Sequence, residues 1–143
     1  MATVQSPEVA EVGNTDFKPP VGGGSVFTRQ ATFTLTSALS AADVIQMINV
    51  FKGETVLGVV CSSADLDSGS TVTFDIGDDA DPDYFVDGST IAQDAGVTAV
   101  SSLATATVAP RAYTADNTLD ILVKTGPTNQ LGAVTLTAYI ISD

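Results

Sequence analysis

The densest group of reactive side chains in the sequence is acidic: Asp78, Asp79, Asp81 and Asp83 fall in one short stretch, with Asp75 before it and Asp87 after it. Hard oxygen ligands crowded on a loop are what calcium requires, because it takes several oxygens in flexible geometry. Asp79, Asp81 and Asp83 alternate as in the first half of an EF-hand loop. The rest of that motif fails, since Tyr84 stands where glycine makes the turn and Thr90 where a bidentate glutamate belongs. Carboxylates on a loop also cap turns and keep sheet edges apart. Two roles therefore stay open, a solvated acidic loop and a calcium site formed by Asp78, Asp79, Asp81 and Asp83. A glycosidase acid/base pair is a poorer fit, because such clefts use aromatic stacking platforms and here Tyr84, Tyr113 and Tyr139 are few and tryptophan is absent.

Other catalytic classes fail for want of parts. The chain has no histidine, which removes Ser-His-Asp and Cys-His arrangements, and a single cysteine cannot supply a zinc signature. Cys61, beside Val59 and Val60, reads as a small buried apolar side chain that cannot form an internal disulfide. Gly22-Gly23-Gly24 precedes a strand-like stretch, whereas a phosphate-cradling loop joins a strand to a helix. The expectation is a protein that is not an enzyme and needs no cofactor, calcium aside.

Charge restricts the partners. Five Lys and Arg face seventeen Asp and Glu, a formal charge of -12, and such a surface repels nucleic acid and anionic membranes while tolerating basic protein surfaces. Lys18, Arg29, Lys52, Arg111 and Lys124 are too scattered for a nucleic-acid patch. No basic segment followed by an apolar run opens the chain, and no apolar stretch is long enough to span a bilayer. Assembly in a cytoplasm is expected.

The elements that must carry these residues are strands. With 143 residues, 44% of them hydrophobic, the chain can bury one domain's core. From Val26 onward it alternates Thr, Val, Ile and Phe, the mark of β-structure. Ala31, Phe33 and Leu35 share one face of a strand over Phe27 to Thr36. Asp43 to Phe51 is apolar on both faces, which suits the middle of a sandwich or a subunit contact better than the competing helix over Ala41 to Ile48. Further strands are expected at Glu54 to Ser62, Thr71 to Ile76, Thr118 to Lys124 and Ala133 to Ile141, and a strand or strand pair at Val97 to Val108, with turns at Asp65 to Ser70 and Gly126 to Asn129. Short strands at this spacing, with no alternating helices, predict an all-β antiparallel sandwich over residues 26–143.

Residues 1–25 differ in kind. Pro7, Pro19, Pro20 and the glycine run favour an extended segment, either a disordered tail or an arm ordered only on a partner, and its apolar residues are spaced too irregularly for a helix or a paired strand. Phe17, Pro19, Pro20 and Val21 are the candidate partner-binding residues of this arm.

The stretches Ala31-Thr32-Phe33-Thr34-Leu35, Ala42-Asp43-Val44-Ile45-Gln46, Gly53-Glu54-Thr55-Val56-Leu57, Val72-Thr73-Phe74-Asp75-Ile76-Gly77-Asp78 and Asp81-Pro82-Asp83-Tyr84-Phe85-Val86-Asp87-Gly88 resemble small structural proteins of tailed-phage head gene clusters. The endings, Tyr113-Thr114-Ala115-Asp116-Asn117-Thr118-Leu119 and Gly132 to Tyr139, are also similar. The resemblance covers Phe27 to Ile141 and not the arm. It implies a jelly-roll-like domain, a place on the virion, and attachment to the major capsid protein as a decoration or cement subunit, often a trimer. A tail or head-fibre component and a calcium-dependent carbohydrate-binding sandwich are the alternatives.

Overall fold

The computed structural model describes residues 1–6, 25–94, 98–103 and 109–142, the stretch 98–103 by its backbone only. Among the described residues, ten strands form two sheets: β1 (Thr3–Gln5), β2 (Val26–Thr34), β3 (Val44–Val50), β4 (Glu54–Ser63), β5 (Thr73–Gly77), β6 (Val86–Ser89), β7 (Thr98–Leu103), β8 (Arg111–Ala112), β9 (Asn117–Thr125) and β10 (Ala133–Ser142). One sheet runs β1-β3-β9-β5-β6 and the other β2-β10-β4-β7, with β8 paired to β4. Setting aside β1 and β8, the first long strand pairs with the last, the second with the next to last, and so on inward. That nested antiparallel pairing is the double-sheet jelly roll, so the expected all-β sandwich is the architecture found.

The faces follow the pattern of the sequence. Val134, Leu136, Ala138 and Ile140 of β10 all point inward and are fully buried, the three larger side chains each stabilising the fold by about 2 kcal/mol through loss of apolar contact with water. Opposite them lie Ile45, Met47, Ile48 and Val50 of β3, with Leu119, Ile121 and Val123 of β9 and Phe74 and Ile76 of β5. The two-faced apolar pattern of β3 has a local cause. Its register with β9 shifts between Gln46 and Ile48, so Ile45 and Met47 face inward before the bulge and Ile48 and Val50 after it. The alternation changes phase without exposing an apolar side chain. The strand lies inside the sheet, between β1 and β9.

The start of the chain departs from expectation. Thr3–Gln5 is a paired strand, parallel to Val44–Gln46, and Ser6 is buried with its amide donating to the Gln46 carbonyl at 2.7 Å. Three residues are too few for periodicity to show, and the pairing is set by the open edge of β3. The candidate arm contacts Phe17, Pro19, Pro20 and Val21 lie outside the described residues.

The strand directions gather the loops at two ends. The upper end carries the β3–β4 turn, the β5–β6 loop and the β8–β9 loop; the lower end carries the β2–β3, β4–β5 and β9–β10 loops.

Candidate functional site

The acidic stretch lies at the upper end, and it is organised around one residue. Asp78 follows the last residue of β5 and is only 1% exposed. Its Oδ1 accepts the Ala80 and Asp81 amides at 3.0 Å each, closing a tight turn in which the Asp78 amide donates to the Asp81 carbonyl. Gly77 makes that turn possible, since a Cβ there would overlap the Asp81 carbonyl and the Pro82 backbone.

The charge of Asp78 is met from β8. Arg111 donates through Nε to Oδ2 at 3.0 Å and through a terminal nitrogen to Oδ1 at 3.1 Å, a two-pronged pair. The Tyr113 hydroxyl donates to Oδ2 at 2.9 Å, and burial together with the Asp78 charge pushes the Tyr113 phenol well up. The Arg111 guanidinium also lies 4.5 Å from the centre of the Tyr84 ring, and the Tyr84 hydroxyl donates to the Ala109 carbonyl. Both Asp78 oxygens are therefore taken.

The other acidic residues do not converge with it. Asp79 is exposed and accepts from Asn117 at 2.7 Å. Asp81 and Asp83 lean on each other, and the hydrogen bond they share raises the Asp81 carboxyl above its usual range. Among the described residues no group of three or more His, Cys, Asp or Glu side chains is placed to hold a metal ion. The structure thus brings Asp78 to an arginine and Asp79 to an asparagine, not four carboxylates to a calcium ion.

A second cation closes the same end from within. Arg29 of β2 points between the sheets, pairs with Glu54 at 3.0 Å and donates to the Asn49 carbonyl at 2.6 Å, linking the sheets. Its guanidinium lies over the Phe27 and Phe51 rings, and Glu54 also accepts the Phe51 amide. Around this frame the Lys52 amide donates to Asp116, the Gly53 amide to the Tyr113 carbonyl and the Tyr113 amide to the Glu54 carbonyl. Two shallow concavities share the Ala112–Thr114 segment: one of about 260 Å³ beside Lys52–Thr55 and one of about 250 Å³ beside Asp78 and Arg111. They give a stitched platform rather than a cleft.

Three features escaped the sequence reading. Arg111 and Arg29 were two of five scattered cations, and nothing in separations of 33 and 25 residues marks their acidic partners. Asp120, on the outward face of β9, is 7% exposed with Oδ1 lacking a partner. Burial, with Asp78 and Asp79 near, pushes its carboxyl up to about 6. Cys61 is buried as expected, and burial pushes its thiol up to about 12, which makes it unreactive.

No protein-family model and no curated protein matches the chain. Solved structures do. A chain in the capsid of Ralstonia phage GP4 superposes over 99% of both chains with a TM-score of 0.78 at 22% identity. The fold is that of phage capsid chains. A chain of the cyanophage Pam1 capsid asymmetric unit matches 87% of this chain and 91% of its own length, at a TM-score of 0.68 and 24% identity. One from the acid-stable capsid of Helicobacter pylori bacteriophage KHP30 matches 85% and 92%, at 0.59 and 16%.

Proposed function

We propose that the protein is a structural component of a phage virion that binds the major capsid protein lattice and stabilises or decorates the head. The observation that carries this reading is the match over 99% of both chains to a chain of the Ralstonia phage capsid. The platform also suits a binding body: its loops are tied to one another, so docking costs little conformational freedom.

In this reading the sandwich is a homo-oligomeric knob, a trimer, on the outer surface of the shell, assembled in the host cytoplasm. Within residues 1–25 the anchoring arm is the part beyond β1, with Phe17, Pro19, Pro20 and Val21 as its contacts. A bound subunit stabilises the lattice by mass action when it prefers assembled coat protein to free coat protein. The test is co-sedimentation of the purified chain with expanded heads that lack it. Stoichiometric binding by the full chain, lost on deletion of residues 1–25, is expected. Binding at a single vertex, as a tail or fibre component shows, or no binding at all, overturns the reading.

A further inference from the structure

We propose that β1 is an exchangeable strand, which pairs with β3 of a second copy of this chain when copies are crowded. The eight long strands complete the jelly roll by themselves, and β1 is an addition outside that pairing, the one parallel partner among the described strands. It lies at the edge of its sheet and touches only β3 to any extent. Its seat is nonetheless specific. The Ala2 amide donates to Asp43 at 2.8 Å, the Val44 amide to the Ala2 carbonyl at 2.9 Å, the Gln5 side chain to Gln46 at 2.9 Å, and the Ser6 hydroxyl to the Met47 carbonyl. Such an edge is recognised through main-chain bonds that any copy of residues 2–6 supplies equally well.

Chain length favours the exchange. β2 and β3 pack face to face across the sandwich, and facing sheets are about 10 Å apart. Roughly 20 residues separate β1 from β2, and fully extended they reach about 66 Å. A folded unit of this size is about 35 Å across. The connection is far longer than its own gap requires and long enough to reach the β3 edge of a neighbour. Because the same bonds form within one chain or between two, only proximity decides. A connection of this length holds its strand at an effective concentration on the order of 1 mM, so neighbours compete once they reach that density.

The proposal does not depend on the capsid reading, and its test uses the full chain in solution. Thr3 and Val44 are register partners, within the span of a disulfide. Thr3→Cys and Val44→Cys are made as separate proteins, unfolded, mixed, refolded together and oxidised; Cys61 is buried and does not compete. Exchange gives a covalent heterodimer joining positions 3 and 44 at about 1 mM protein, and at least tenfold less at about 10 μM. Leu131→Cys, exposed at the lower end, replaces Val44→Cys in the collision control. The double variant in one dilute chain closes an internal disulfide if the register is right. A heterodimer yield no greater than the control, or no internal disulfide in the double variant, overturns the proposal.

Discussion

At the lower end of the sandwich, Asp67 is 1% exposed, and no cation among the described residues pairs with it. Its carboxylate is held by the amides of Gly69, Thr71 and Val72, the Thr71 hydroxyl and the Asn129 side chain. Those backbone donors, Thr71 foremost, hold it well below the usual carboxylate range. Asp43 at the same end is lowered in the same way by the Ser40 and Ala2 amides. At the upper end Asp78 and Glu54 are equally buried, and each is met by an arginine from a distant strand. The difference lies in reach. Most of the amides around Asp67 come from the next five residues, so the loop folds onto its own carboxylate. At the upper end, elements far apart in sequence must be joined, and the guanidinium is long and forked enough to do it. A chain with five Lys and Arg places two arginines there.

Removing those arginines tests the contrast most strongly. Arg29→Met leaves Glu54 charged and buried and removes the link to Asn49; it is expected to cost about 3–5 kcal/mol in urea unfolding. Arg111→Met, whose side chain is 26% exposed, lets water relieve Asp78, and about 2 kcal/mol is expected. Equal losses from the two variants, or a loss below about 1 kcal/mol for Arg29→Met, break the idea that the upper end depends on its ion pairs.

Asp120 sharpens the comparison because burial and an unpaired Oδ1 outweigh the one hydrogen bond it has from Thr118. Its folded carboxyl, up to about 6, exceeds the unfolded value, so the ionised form opposes folding and this group's contribution to stability rises as pH falls from 7 toward 4. Asp67 is shifted the other way: its stabilisation is complete above its unfolded value and is lost only on further acidification. Asp120→Asn is therefore expected to stabilise the protein at pH 8 by about 1–2 kcal/mol, after allowance for solvent screening, and to do little at pH 4. Melts across pH read this directly, and a variant less stable at pH 8 sinks the account.

How much of this was legible in the sequence follows the same division by reach. The faces of β2, β9 and β10 were readable because period-two alternation is local, and the Asp65 to Ser70 turn because its residues make their bonds nearby. The bulge at Met47 was hidden, since alternation on both faces gives the same pattern with or without it. β1 was missed because three residues carry no period. The Asp78–Arg111 and Arg29–Glu54 pairs could not be found, because ion pairing leaves no spacing when partners sit on different strands. The acidic loop was located correctly, but which of its carboxylates turns inward depends on Gly77 and on β8.

The smallest expected effect concerns that loop and calcium. An ion would need oxygens from several of Asp78, Asp79, Asp81 and Asp83. Asp78 already accepts from two amides, Arg111 and Tyr113, and a cation competing for it would displace the arginine and leave that charge facing the ion. Asp79 is turned to Asn117, and Asp81 and Asp83 alone offer too few oxygens for an ion that takes several. A site with a dissociation constant of about 1 mM, given about 10 mM calcium, would add roughly 1.4 kcal/mol, enough to raise Tm by several degrees. No such rise is expected, while Arg111→Met, with Asp78 set free, is the one variant in which calcium gains a foothold. If calcium raises the Tm of the unaltered chain as much as that of the variant, the upper end is not closed by its arginine.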